Sequence, residues 1–86
     1  MLFMVVETFT KGPDAVGERF AAKGRMIPPG VTYETSWVDA TGNRCFQLMQ
    51  APDRASLDAW IVNWSDLVQF EVVPILTSQE FWSQRQ

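Results

Sequence analysis

At 86 residues, 47% of them hydrophobic and 20% charged, the chain has the size and composition of one folded domain, residues 1–86, not of a disordered tail. The absence of histidine excludes Ser-His-Asp triads, Cys-His pairs and His-ligated zinc or haem within one chain, and a solitary Cys45 excludes an internal disulfide and any thiolate cluster. A formal net charge of -3 argues against nucleic-acid backbones and anionic membrane surfaces, which need clustered Lys and Arg.

Leu2 to Phe9, rich in Val, Phe and Met, reads as a first strand. Lys11-Gly12-Pro13 then punctuates. Pro13 suits the first position of a helix that carries Asp14 and Glu18 near its start, Arg19 and Lys23 near its end, and Gly24 as its stop. Val16 and Phe20 share one face of it. Met26 to Gly30, with two prolines and a glycine, forces an irregular connection into a second strand, Val31 to Asp39. Thr41-Gly42-Asn43 turns that strand into a third, Arg44 to Gln50.

Pro52 and Asp53 open a second helix, and Leu57, Trp60, Ile61, Trp64 and Leu67 or Val68 recur at three and four residues to give it an apolar stripe. Val68 to Leu76 is the last strand. Thr77 and Glu80 have capping-box spacing ahead of Phe81 and Trp82, which predicts a short terminal helix docked by its two rings. No apolar run approaches the about 20 residues of a membrane span, and no basic segment precedes the first run as in a signal peptide. With a single cysteine, the expected location is cytoplasmic.

The order is β-α-β-β-α-β, an α+β ferredoxin-like arrangement with an antiparallel sheet, strand order 4-1-3-2 and both helices on one face. Pro74 cannot donate a ladder hydrogen bond and so belongs on an edge strand, as the fourth strand is in this topology.

Alternation assigns residues to the two faces. Val31, Tyr33, Thr35 and Trp37, then Phe46 and Leu48, then Phe70, Val72 and Leu76 are expected beneath the helices. Cys45, Gln47, Met49, Glu71, Val73 and Ile75 are expected on the open face, too apolar to stay bare, so that a second copy covers it and the two sheets enclose a barrel-like space. A monomer with a tolerably polar outer face is the alternative.

Ser36-Trp37-Val38-Asp39, Arg44-Cys45-Phe46-Gln47-Leu48-Met49, Trp60, Trp64-Ser65-Asp66-Leu67, Phe70-Glu71-Val72-Val73-Pro74 and Leu76-Thr77-Ser78 together resemble a family of short, mostly bacterial proteins known only as a domain of unknown function. The resemblance implies a fold related to the dimeric α/β-barrel superfamily and implies a homodimer. It implies no reaction, because that superfamily holds both enzymes and non-catalytic proteins.

Among candidate sites, Tyr33 and Trp37 are expected to share a strand face near Pro28-Pro29-Gly30 and to line a pocket with Trp60 and Trp64 from the second helix. Core packing explains the same spacing. Glu71 joins this pocket, and lies on a strand next to that of Glu7, where two carboxyls on one face would shift each other's pKa. Solvated or ion-paired carboxylates are the plainer explanation. Cys45 reads as an inert buried thiol with a raised pKa. No metal and no cofactor is expected. RNA binding by the sheet, known for this topology, is disfavoured by the missing basic stripe.

Two functions follow from different classes. One is a non-catalytic dimeric module that binds a small apolar or aromatic molecule or a protein partner. The other is a cofactor-free enzyme, monooxygenase- or isomerase-like, working in the helix-sheet cleft through Tyr33, Trp37 and Glu71.

Overall fold

A computed structural model describes residues 1–85. Strands β1 (Leu2–Phe9), β2 (Thr32–Val38), β3 (Arg44–Gln50) and β4 (Val68–Ile75) form one antiparallel sheet in the order β2-β3-β1-β4, the expected ferredoxin-like arrangement. Helices α1 (Pro13–Lys23) and α2 (Arg54–Ile61) connect them, and α3 (Ser78–Ser83) follows β4. β4 is indeed an edge, which explains how Pro74 is tolerated there.

Local chemistry sets the helix ends. Pro13 occupies the first turn of α1 after Gly12, and Gly24 closes it with its N–H on the Phe20 carbonyl. The Asp53 carboxylate accepts the Ser56 N–H at 2.8 Å and starts α2. Thr77 and Glu80 form the expected reciprocal box at α3. α2 is shorter than its apolar stripe. It ends at Ile61, and residues 62–67 continue as tight turns, with Trp64 N–H on the Ile61 carbonyl and Leu67 N–H on the Trp64 carbonyl. These turns keep Trp60 and Trp64 on the same side as Leu57, so the stripe serves its purpose without a continuous helix.

The core lies between the helices and the sheet, built on Phe3, Val5, Met49, Leu57, Trp60, Trp64 and Val68. Strand pairing fixes which residues face it. Phe3 opposes Met49, Val5 opposes Gln47 and Val72, and Glu7 opposes Cys45 and Phe70, so all of these share the helix-covered face. The expected face assignment is therefore reversed for β3: Cys45, Gln47 and Met49 are buried under the helices instead of open to a partner, while Phe46 and Leu48 point outward. For β4 the assignment stands, with Phe70 and Val72 inward and Glu71, Val73 and Ile75 outward.

β2 changes phase partway. Tyr33 opposes Met49, but Thr35 opposes Leu48, so Glu34 is an extra residue in the ladder. Tyr33 thus points to the helices and Trp37 to the open face, where it is 55% exposed. Leu76 falls beyond β4 and is exposed. The rings of α3 do not dock on this domain either. Phe81 and Trp82 pack edge to face on each other at 5.1 Å, and Trp82 stays 62% exposed.

Candidate functional site

α1 is made largely of small residues, and none of its side chains is fully buried. Val16 and Gly17 are too short to fill the space that the helix spans, so the helix stands off from the sheet and leaves a cleft of about 330 Å³ beneath it. That lies at the lower end of small-molecule sites. Phe9, Val16, Phe20, Trp60 and Trp64 supply apolar walls, and Glu7, Ser36, Cys45 and Gln47 line the sheet side.

Glu7 is the unusual member. It is only 7% exposed, and its Oε2 has no hydrogen-bond partner among the described residues. Loss of water around the carboxyl pushes its pKa from 4.5 up to about 7, against a smaller opposing pull from the Arg25 guanidinium. Near neutrality the group is thus shared between its two protonation states. Burial, reinforced by Glu7, raises the Cys45 thiol to about 11, which keeps it neutral and poorly nucleophilic as expected. Gln47 is held along β3, its amide NH₂ donating to the Met49 sulfur at 3.2 Å while its carbonyl faces the Cys45 thiol at 3.9 Å.

Arg25 forms the rim. Its backbone carbonyl accepts both indole N–H groups, from Trp60 at 3.0 Å and Trp64 at 2.9 Å. One oxygen thereby ties the exit of α1 to α2 and the turns after it. The Asn63 amide strengthens the same junction by donating to the Met26 carbonyl at 3.1 Å, where Met26 adopts a positive φ of 57°. Arg19 adds a fork onto Asp66 at 2.6 and 2.7 Å, which lowers the Asp66 pKa to about 2 and gives that residue a partner that the sequence did not show. Arg25's guanidinium lies 3.7 Å over the Tyr33 ring and 5.1 Å from that of Phe20, and it has no ion pair among the described residues.

Of the residues expected to make a pocket, Trp60 and Trp64 line the cleft, and Tyr33 stands under Arg25 with its hydroxyl paired to Ser36 at 2.7 Å. Trp37 and Glu71 do not belong to it, because both face the open side of the sheet. Glu71 opposes Val6, the residue before Glu7, so the two carboxyls sit on opposite faces and cannot act on one another as a pair. Arg25 and Ser36 were not assigned to a pocket, Gln47 was expected on the open face, and Glu7 was weighed only as a neighbour of Glu71. The legible signal was the phase of β1, where Glu7 alternates with Phe3 and Val5.

Among the described residues no three His, Cys, Asp or Glu side chains are grouped to hold a metal ion, and no helix is long and apolar enough to cross a membrane. A family model described as Domain of unknown function (DUF3303) matches residues 1–84. The chain belongs to this DUF3303 family. No curated protein and no solved structure matches it. For this DUF3303 domain the chemistry must therefore be argued from the cleft itself, an apolar chamber with one carboxyl at its floor and one cation at its rim.

Proposed function

We propose that the protein binds a compact, mostly apolar molecule of one or two rings in the cleft between α1 and the sheet, with one polar group of that molecule turned to Glu7. The unpartnered Glu7 oxygen in an otherwise apolar chamber carries this reading. An orphaned buried oxygen costs about 1 to 3 kcal/mol, and a ligand that hydrogen-bonds it recovers that cost at the same time as it fills the space. Apolar walls supply affinity, and the single polar contact supplies orientation.

Fluorescence titration with 2-naphthol is the test. Saturable binding with one site per chain is expected, and Val16→Trp, which fills the space under α1, abolishes it while Val16→Ala keeps it. Non-saturable binding, or equal binding by the Val16→Trp protein, sinks the reading.

A second copy of the chain is proposed as the partner, on a different observation. The open sheet face presents Trp37, Phe46 and Val6 in one cross-strand row that ends at Glu71, and Leu48, Met4 and Val73 in the next, which begins at Thr35, with Leu2 and Ile75 beyond. Contiguous apolar rows of this kind mark an interaction surface, and a two-fold pair covers the same rows on both copies with one contact, giving the dimeric α/β-barrel form. These rows replace Cys45, Gln47 and Met49 as the proposed contact, while Val73 and Ile75 remain in it. The lone buried thiol suits the reducing cytoplasm proposed for the protein.

A further inference from the structure

Resting on the binding reading above, we infer that the cleft moves a proton on a cyclic or aryl ketone, with Glu7 as the base at the carbon beside the carbonyl and Arg25 holding the carbonyl oxygen. The two groups are the charged members of the cleft lining, one at its floor and one at its rim. They sense each other electrostatically. Neither is ion-paired: Glu7 Oε2 has no hydrogen-bond partner, and Arg25, resting on the Tyr33 and Phe20 rings, has no carboxylate partner, among the described residues.

Arg25 is also held in place. Two indole N–H groups fix its backbone carbonyl, and its guanidinium lies 3.7 Å over the Tyr33 ring, a contact that consumes no hydrogen-bond donor. An apolar chamber of this volume suits a neutral one- or two-ring body, and a guanidinium edge suits a carbonyl oxygen.

The step conserves charge. Glu7 carboxylate takes the proton from the carbon beside the carbonyl as that C–H bond breaks. The C–H electron pair becomes a C=C bond, and the carbonyl π pair moves to oxygen, producing an enolate against Arg25. One negative charge has passed from Glu7 to the ligand, so the chamber holds one anion and one cation before and after. No unpaired charge is created in a space where it would be costly. Return of the proton to the same carbon gives exchange with solvent, and its delivery to oxygen or to a conjugated carbon gives an isomer. No other reactant is consumed. A carboxyl poised near neutrality is suited to both halves of the step.

The experiment follows exchange of the methylene protons of 2-indanone in D₂O by NMR, with binding measured separately by calorimetry. Wild-type protein is expected to accelerate exchange saturably above buffer, with a profile that rises through about pH 7 as Glu7 ionises against Arg25, Cys45 remaining neutral. Glu7→Gln should lose about a hundredfold of that acceleration with binding retained, and Glu7→Asp should recover part of it. Arg25→Met should lower kcat more than it raises KM, because the oxygen bears full charge only after transfer.

Binding without acceleration overturns proton transfer and leaves the binding reading standing. Absence of 2-indanone binding, where 2-naphthol still binds, overturns the ketone assignment, as does Glu7→Gln protein that folds, binds and still exchanges. Failure of both probes to bind overturns both readings.

Discussion

Glu7 places a carboxyl where little water surrounds it, only 7% exposed, and the consequence is readable in stability. Its native pKa is about 7 against an ordinary 4.5, so between those values the folded chain keeps a proton that the unfolded chain has lost. Stability therefore falls as pH rises from about 4.5 to 7 and levels off above, by about 3 kcal/mol for a gap of this size. Cys45 on that face does not offset it, because its thiol stays neutral across the window. Asp39, Asp53 and Asp66 have lowered values, so their contributions are lost only at more acid pH. Urea midpoints at pH 5 and pH 8 should separate for the wild type and coincide for Glu7→Gln; a wild type with equal midpoints would show that the carboxyl is solvated. Cys45, buried and with its thiol near 11, should resist iodoacetamide at pH 8 until urea unfolds the chain. Rapid alkylation of the native protein would mean that the thiol, which lines the cleft, is less buried or more acidic than the fold implies.

At the scale of elements, the cleft exists because α1 is built of short side chains, and its exit is pinned at the Arg25 and Met26 carbonyls. A Cβ at Gly17 would meet nothing within 4 Å, so Gly17→Ala should raise stability by about 0.5 to 1 kcal/mol through helix propensity alone, seen as a higher Tm. A lower Tm would indicate that α1 packs closer to the sheet. Trp60→Phe and Trp64→Phe each remove one donor from the Arg25 carbonyl yet leave the other, and each should cost about 1 kcal/mol for the hydrogen bond, with some packing loss added. The double variant orphans the oxygen, so its cost should exceed the sum by about 1 kcal/mol or more; strict additivity in urea titrations would mean that water replaces the indoles.

These elements were legible in the sequence where their chemistry is local. Pro13, Asp53 and the Thr77–Glu80 box mark helix starts through caps that need only neighbouring atoms, and Pro74 marks an edge because it lacks a donor. Sheet faces are not local in this sense. β1 is apolar on both sides, β3 offers Phe46 and Leu48 on one side against Cys45 and Met49 on the other, and a bulge at Glu34 with no glycine reverses β2 midway. A shift of one residue in phase separates the expected face of Cys45, Gln47 and Met49 from the observed one, which Glu7 shares. Only the pairing of Glu7 with Cys45 and Phe70 reveals the carboxyl at the floor of the cleft.

For the whole molecule, the reversed phase of β3 strengthens the case for a pair. The outward residues of β3 are Phe46 and Leu48, both wholly apolar, in place of the expected Cys45, Gln47 and Met49, and they adjoin Met4 and Val6 at the centre of the sheet. Leu48 lies between Thr35 and Met4 in its row, so a charge there falls within a face-to-face contact on both copies. Leu48→Glu should convert a species of twice the chain mass into one of single mass in light scattering, because unpaired carboxylates buried in an apolar contact cost several kcal/mol. Thr8→Glu, at the rim of the same face beside Arg44 and Gln69, should leave the pair intact and shows whether any added charge has this effect. The cleft opens on the other side of the sheet, so the separated Leu48→Glu chain should still take 2-naphthol. Single-mass scattering by the wild type at micromolar concentration would remove the partner from this account without touching the cleft.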